Sequence, residues 1–296
     1  MVNKKLVRAV IFGSAIGVSL TSAQMIDEIA IGKITSYLQT DAATTEVDTA
    51  NGAYNFAVEV YGDSLVDPTV QMATGSTFES TYTSQFNGGV LGYNSDEDGW
   101  LFGSPNFDNW SESDKTTFDS LFANGTYSVT ANTSGGEVTV DLDLQDPVDP
   151  YNITVFTLTG GQWVNGVYRI AADQTLGITT NAFTNFSGNS DGYMSIFMEN
   201  KNTGVDAVNQ EQLYSEDNSA NNYFEATLLA NTLEEGSYML SGEFVAIVDK
   251  NLVDTTGLAY MGNTTTLSIL VVPEPSAYAA IFGLAGLLCA AARRRR

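Results

Sequence analysis

Hydrophobic and polar residues alternate over long stretches of this 296-residue chain. The clearest stretch is Glu137–Leu144, where Val and Leu at even positions alternate with Thr and Asp at odd positions. A period of two is typical of a β-strand that buries one face. Gly, Asn, Asp and Ser separate such stretches as turns would, so the pattern predicts an all-β fold. The predicted strands are Tyr54–Tyr61, Thr77–Phe86, Glu137–Leu144, Ile153–Leu158, Leu176–Thr180, Tyr193–Met198, Tyr223–Leu229, Ser237–Val248 and Thr265–Val271.

Two segments have helical spacing instead. In Met25–Gln39, apolar residues recur at intervals of three and four, which predicts an amphipathic helix ahead of the strands. A second short helix is predicted over Glu112–Ala123. Its starting signal is Ser111 followed by an acid three residues later, and an Asn-Gly pair after Ala123 ends it.

A short pattern recurs four times: Asn or Glu, then Gly, then any residue, then Tyr at the start of an apolar strand. Gly suits a turn with positive φ, and the amphipathic Tyr ring suits the strand that follows. The four tyrosines are separated by 73, 41 and 70 residues, so one long step occurs twice and favours a duplicated module. The alternative is chance recurrence in a chain that holds 27 Gly and 14 Tyr. The tyrosines are Tyr54, Tyr127, Tyr168 and Tyr238.

A boundary between the two modules is predicted at residues 145–150, Gln-Asp-Pro-Val-Asp-Pro, because paired Pro and Asp break strands. We therefore predict two tandem β-sandwich modules of jelly-roll or immunoglobulin-like type. The first would occupy residues 24–145, including the leading helix, and the second residues 146–271.

The N-terminus has the pattern of a secretory signal peptide over residues 1–23. Three basic residues precede an apolar run, Ala9–Leu20, and the small residues Thr21-Ser22-Ala23 form a cleavage site before Gln24. The expected partners at this end are the Sec translocon and signal peptidase.

The C-terminus combines a short polar motif, an apolar run and a basic stop over residues 272–296. The run Ala277–Ala292 would span ~24 Å as a helix, which predicts a short single membrane helix. Basic flanks stay on the cytoplasmic side, so the residues before the motif are expected to face outward. The motif is Val272, Pro273, Glu274, Pro275 and Ser276, and the basic stop is Arg293, Arg294, Arg295 and Arg296.

This order and spacing resembles the PEP-CTERM sorting tail of exopolysaccharide-producing Gram-negative bacteria. The resemblance is confined to the tail and carries no information on the fold of the remaining chain. It implies an exported protein that is held transiently in the inner membrane by its C-terminal helix. It further implies processing by an exosortase, a membrane-embedded transpeptidase, and delivery to the cell surface or the extracellular matrix.

The segment between the two ends is strongly acidic. Gln24–Val272 holds 34 acidic and 5 basic residues, a formal charge of −29. Such a charge repels nucleic acid, so nucleic acid is excluded as a partner. Because the single cysteine, Cys289, lies in the C-terminal apolar run, this segment forms no disulfide and must be held together by burial.

The residues available for chemistry are limited. The chain has no histidine, which excludes Ser-His-Asp and Cys-His catalysis and histidine zinc sites. Residues 188–192, Gly-Asn-Ser-Asp-Gly, match a nucleophile-elbow pattern but lack its histidine, so we interpret them as a turn. Paired carboxylates remain as possible glycosidase groups, although no pair is singled out.

An acidic loop is a candidate calcium site. Asn94, Asp96 and Asp98 place oxygen side chains at alternating positions ahead of Gly99. Pro105 stands where the bidentate Glu of an EF-hand would be, so only a looser calcium site is predicted, with a solvated acidic turn as the alternative.

Three tryptophans are candidate carbohydrate-binding residues. Trp100 and Trp110 lie near acids and amides in a polar region, and Trp163 lies beside an Asn-Gly turn. Aromatic faces stack on sugar rings while acids and amides bind hydroxyls. The alternative for each tryptophan is a place in the core.

These observations favour a non-catalytic surface or matrix protein, associated with biofilm or exopolysaccharide in a structural or carbohydrate-binding role. The alternative is a secreted carbohydrate-active enzyme, a glycoside hydrolase or lyase, that uses an Asp/Glu pair.

Overall fold

A computed structural model describes residues 26–50, 52–95, 98–102, 110–133, 135–146, 152–183, 191–215, 222–251 and 256–273. The fold is mainly β, as the alternation of the sequence predicts. The predicted signal peptide and all of the predicted tail after Pro273 lie outside the described residues.

The described part of the chain contains eighteen strands, three short α-helices and one 3-10 turn at Asn87–Gly89. In the first half the strands are β1 Glu28–Gln39, β2 Thr45–Val47, β3 Tyr54–Tyr61, β4 Val66–Gln71, β5 Gly92–Asn94, β6 Gly99–Leu101, β7 Trp110–Glu112, β8 Gly125–Thr133 and β9 Gly136–Leu144. In the second half they are β10 Phe156–Thr159, β11 Gln162–Val164, β12 Val167–Ala171, β13 Leu176–Thr180, β14 Asp191–Asn200, β15 Asp206–Ser215, β16 Glu225–Leu228, β17 Gly236–Asn251 and β18 Thr256–Val272. The helices are α1 Phe78–Thr81, α2 Thr83–Phe86 and α3 Lys115–Leu121.

One large sheet runs through the whole molecule. Its strand order is β15-β14-β17-β18-β1-β3-β6-β5, and four further short strands pair at its margins. Strand β1 is parallel to β18 and antiparallel to β3, so the first and last described strands are neighbours. Two three-stranded sheets, β10-β13-β16 and β4-β8-β9, complete the fold.

Two large hydrophobic cores and one small cluster, formed by Ala30, Tyr193, Val245 and Tyr260, involve this sheet. The first core collects buried side chains from Ile26 to Leu144, together with Ala259 and Met261 of β18. The second core collects buried side chains from Phe156 to Val271. The long hairpin of β17 and β18 contributes to both cores and joins them. The division into two modules with a boundary at residues 145–150 stays a prediction, and residues 147–151 lie outside the described residues.

The prediction of a helix over Met25–Gln39 is wrong. Residues Glu28–Gln39 form β1, in which the first six positions are all buried. The strand lies between β18 and β3 and is covered on both faces, so apolar residues occupy both faces and the alternation disappears. A strand of this kind cannot be told from a helix by periodicity alone.

The prediction of a strand over Thr77–Phe86 is also wrong. Two single-turn helices, α1 and α2, occupy this segment. Phe78 and Phe86 are buried in the first core, and Tyr82 packs against it. Their spacing of four residues matches one face of a helical turn, and the same spacing also satisfies a strand, which explains the error.

The second predicted helix is confirmed with a shorter extent. It begins after Asp114, whose Oδ1 accepts a hydrogen bond from the Thr117 backbone N–H at 2.8 Å. The proposed starting residue Ser111 instead belongs to strand β7. The other predicted strands are present, and Leu176–Thr180 has the predicted limits.

The recurring Gly-x-Tyr pattern has a consistent geometry. All four glycines have positive φ, from +79° at Gly166 to +153° at Gly236. The hydroxyl of Tyr127 donates to the Ala123 carbonyl at 2.7 Å, and the hydroxyl of Tyr238 donates to the Glu234 carbonyl at 3.1 Å. Each bond reaches back four residues, so two copies of the pattern, one in each half, form the same corner.

Candidate functional site

A cleft of about 590 Å³ opens at one end of the large sheet. It lies where β1 begins, β3 ends and the β5–β6 hairpin turns. The pairing of Glu28 with Tyr61 holds the first two elements together, and the Asp27 backbone N–H donates to the Tyr61 carbonyl at 2.9 Å. Three stretches that are far apart in sequence therefore line one concave surface.

The hairpin supplies an aromatic wall to the cleft. Tyr93 and Trp100 are cross-strand partners, with ring centroids 5.5 Å apart and planes inclined by 60°. Tyr93 is 48% exposed and Trp100 is half-buried against the first core. The Tyr93 hydroxyl donates to Asp98 Oδ1 at 2.6 Å, and this bond raises the pKa of Tyr93. The ring is thus fixed with much of its surface open to a ligand.

A third ring lines the cleft from β3. A Cβ atom added at Gly99 would lie 2.4 Å from Cε1 of Tyr61, so the Tyr61 ring rests directly on the backbone of β6. The Tyr61 hydroxyl donates to Glu59 Oε2 at 3.2 Å, behind the cleft. Gly99 is therefore required at its position, because any side chain there would displace Tyr61.

Carboxylates line the remaining surface. Asp27, Asp63 and Asp98 are exposed, whereas Glu28 is buried with only 8% of its surface accessible. Among the described residues, Oε1 of Glu28 has no hydrogen-bond partner. Burial, and secondarily the charge of Asp27, raises the pKa of Glu28 to about 8. At neutral pH Glu28 therefore holds a proton, and its hydroxyl can donate to a ligand.

Further buried polar groups continue across the same sheet from the cleft. Glu59 is 1% exposed, and Glu243 of β17 accepts a hydrogen bond from Thr264 Oγ1 at 3.1 Å. Burial raises the pKa of Glu243 to about 8. Tyr260 lies over Gly32, and its pKa is raised by burial and by the nearby charges of Glu59 and Glu243. A row of carboxyl and phenol groups thus follows the sheet inward from Glu28.

One of the three predicted calcium ligands, Asp98, lines this cleft. Asn94 is buried at the end of β5, Asp98 is exposed in a left-handed turn with φ of +53°, and Asp96 is outside the described residues. Within the described ranges, no group of three or more His, Cys, Asp or Glu side chains is placed to hold a metal ion. The calcium site stays a prediction.

The three tryptophans have different positions. Trp100 lines the cleft. Trp163 of β11 packs against the second core, with its ring 5.5 Å from that of Tyr168. Trp110 begins strand β7, and its side chain is outside the description.

The sequence analysis did not nominate Asp27, Glu28, Tyr61, Asp63 or Tyr93. The first two lay in the segment interpreted as a helix, so their approach to the β3 end was not foreseen. Alternation in Tyr54–Tyr61 marked Tyr61 only as a strand residue. A weak signal existed at Tyr93, which stands seven residues before Trp100 on the other side of an acidic turn.

The sorting motif begins where the last strand ends. Val272 is the final residue of β18, and its carbonyl accepts from the Ala172 backbone N–H at 3.0 Å. Pro273 follows outside the strand, while Glu274, Pro275, Ser276 and the four arginines at 293–296 lie outside the described residues. Helices long and apolar enough to cross a membrane are not found in the part of the chain that the structure describes.

Comparison with known proteins gives one match. Residues 271–296 match the PEP-CTERM protein-sorting motif. No curated protein sequence matches the chain. The motif implies an exported, membrane- or surface-associated protein that is processed by an exosortase. The chain thus carries a PEP-CTERM sorting motif at its C-terminus.

Proposed function

We propose that this protein is a non-catalytic component of the cell surface or extracellular matrix that binds carbohydrate in the cleft at the β1, β3 and β5–β6 junction. The observation that supports it best is the combination of aromatic rings and carboxylates on one concave surface. The sorting motif supports the location, because it directs its carriers out of the cell.

The chemistry of the cleft suits a sugar. Exposed ring faces at Tyr93 and Trp100 can stack on the C–H face of a pyranose. Carboxylate oxygens of Asp27 and Asp63 can accept hydrogen bonds from hydroxyls, and the protonated Glu28 can donate one. The volume falls within the range of ~300–1,000 Å³ that small-molecule sites occupy.

A second candidate function is glycoside hydrolysis. It is favoured by one observation, the raised pKa of Glu28 beside the aspartates that line the same cleft. A carboxyl group with a raised pKa next to an ionised carboxylate is the acid and base pair that glycosidases use.

We also infer the type of sandwich. In the second half, the sheet β10-β13-β16 is separate from β15-β14-β17-β18, and the second core takes side chains from both. Tyr238 forms its corner at the start of the next-to-last strand, as the tyrosine corner of immunoglobulin-like sandwiches does. These features favour an immunoglobulin-like second module, and the matching Tyr127 corner favours a related first module.

One experiment separates binding from catalysis. The full-length protein, solubilised in detergent, is incubated with the exopolysaccharide of the producing organism, with and without calcium. Bound polysaccharide and released soluble sugar are measured in the same sample. Binding without release is expected. Sugar release that disappears in Glu28→Gln would establish the hydrolase instead, and a calcium requirement would support the Asn94, Asp96 and Asp98 site.

The location of binding is tested by a matched pair of variants. Trp100→Ala is expected to lower the affinity at least about tenfold, whereas Trp163→Ala leaves it unchanged. Equal losses in both variants, with the secondary structure of each intact, would place binding elsewhere.

A further inference from the structure

We infer that the cleft selects saccharides that carry a primary ammonium group, the de-N-acetylated amino sugars, over neutral and anionic saccharides. This inference rests on the proposed carbohydrate-binding function and specifies its ligand class.

Charge is the first argument. Three exposed aspartates, Asp27, Asp63 and Asp98, line the cleft, and none of the described residues that line it is Lys or Arg. Uronate or sulfate groups would meet only like charge there. A protonated amine would be attracted by each aspartate, and exclusion of water from a cleft strengthens that attraction.

The aromatic rings supply the second argument. Tyr61, Tyr93 and Trp100 line the same cleft, and a cation over the face of such a ring is attracted by its quadrupole. Rings combined with carboxylates are the usual composition of sites that bind ammonium groups.

Glu28 supplies an independent third argument. Glu28 lines the cleft, and its buried Oε1 atom has no hydrogen-bond partner among the described residues. An unpaired buried oxygen costs folding free energy, which a ligand N–H or O–H would recover on binding. Because Glu28 holds its proton at neutral pH, it offers one acceptor oxygen and one hydroxyl rather than another full charge.

A sugar ring suits the cleft better than a lysine side chain. A pyranose presents a C–H face to Trp100 while its amine and hydroxyls reach the aspartates and Glu28 together. A lysine side chain has the amine alone, so the oxygens of Glu28 and one or more aspartates would stay unpaired.

The test uses titration calorimetry on the full-length protein in detergent. The probes are a fully deacetylated glucosamine hexamer, its N-acetylated counterpart and an oligogalacturonate of equal length, at about pH 6, where amines are protonated. We expect the glucosamine hexamer to bind at least about tenfold more tightly than the N-acetylated hexamer, and the oligogalacturonate to bind most weakly.

Two variants each remove one negative charge, one inside the cleft and one outside it. Asp63→Asn in the cleft is expected to lower the affinity for the glucosamine hexamer severalfold. Glu137→Gln, on an exposed position of β9, is expected to leave it unchanged. Both positions are exposed, so neither change should unfold the protein.

Each alternative result has one meaning. Equal, Trp100-dependent binding of both hexamers would overturn the inference and leave the proposed function standing. Equal losses in Asp63→Asn and Glu137→Gln would show diffuse attraction to an acidic protein and overturn it. Polylysine binding as tightly as the hexamer would overturn the assignment to sugars. Binding of no saccharide, including the organism's own exopolysaccharide, would overturn both proposals.

Discussion

A Trp–Tyr pair lies across a short hairpin in each half of the molecule. Trp100 pairs with Tyr93 across β5–β6, and Trp163 pairs with Tyr168 across β11–β12. In both hairpins the ring centroids are 5.5 Å apart. The same residue types at the same separation therefore permit a direct comparison.

The surroundings of the two pairs differ. Tyr168 is 1% exposed in the second core, and its hydroxyl accepts from the Gly161 backbone N–H at 2.8 Å. Tyr93 is 48% exposed, and its hydroxyl donates to the carboxylate of Asp98. A backbone partner holds the second-half pair inside the fold, whereas a carboxylate partner holds the first-half pair at the surface. The two pairs thus combine the same rings with different burial and with different partners of the tyrosine hydroxyl.

The largest expected effect is a difference in stability between alanine variants of Tyr168 and Tyr93. Tyr168→Ala removes a buried ring and should lower the free energy of unfolding by about 3–5 kcal/mol. Tyr93→Ala should lower it by less than about 1 kcal/mol, because the ring is half exposed, while it weakens saccharide binding. Urea denaturation followed by tryptophan fluorescence gives both stabilities, and calorimetry gives the affinity.

Tyr168→Phe is the control for the first of these variants. It keeps the ring and loses one hydrogen bond, so a loss of only about 1 kcal/mol is expected. If Tyr93→Ala proved as destabilising as Tyr168→Ala, the first-half pair would be structural too, and the cleft would lose its aromatic wall as a separate feature.

The second effect is a pH dependence of stability. Glu28 in the cleft and Glu243 in the second half both have a pKa raised by burial to about 8, from an ordinary value of 4.5. Between these two pH values the folded state keeps protons that the unfolded state has lost. The contribution of these groups to the free energy of unfolding is therefore largest below about pH 4.5, and it falls as the pH rises to about 8.

Neutral replacements remove this dependence. At about pH 8, Glu28→Gln should be more stable than the wild type by on the order of 4 kcal/mol, with a difference below about 1 kcal/mol at about pH 5. Glu243→Gln should shift stability in the same direction, but only Glu28→Gln should alter saccharide affinity. Urea midpoints at a series of pH values measure the effect. The measured quantity is the difference in stability between Glu28→Gln and the wild type. If this difference is no larger at pH 8 than at pH 5, Glu28 is ionised in the folded protein at both pH values.

Much of the fold follows from local pattern. Glu137–Leu144 alternates because one face of β9 covers the first core while the other faces solvent, and the predicted strand agrees with the observed one to within one residue. Leu176–Thr180 alternates for the same reason in the second core. A strand with one buried and one solvent-exposed face can be predicted from its sequence, because apolar residues occupy the buried positions and polar residues occupy the exposed ones.

The rest depends on pairing between distant residues. Glu28–Gln39 is a central strand that pairs edge to edge with β18, whose residues follow more than 200 positions later. Local periodicity does not record such a partner. The cleft was missed for the same reason, because the register of β1 on β3 brings Glu28 beside Tyr61. The sequence alone identified Trp100 and Asp98 as separate candidates. Their common surface with Asp27 and Asp63 became visible only from the strand pairing.

The smallest expected effect tests whether the two halves share a structural device. Tyr127→Phe and Tyr238→Phe each remove one hydroxyl hydrogen bond to the carbonyl four residues earlier. Both rings are buried, so each carbonyl loses a buried partner and each variant should lose about 1 kcal/mol of stability. Tyr54→Phe, in the same sequence pattern but at a half-buried position, should lose less stability.

Similar losses of stability at Tyr127 and Tyr238 are expected for a duplicated corner, because the same hydrogen bond at similar burial contributes a similar free energy. A loss confined to Tyr238, measured by the same urea titration, would mean that the two corners differ in their energetic role and that the resemblance of the halves ends at the sequence pattern.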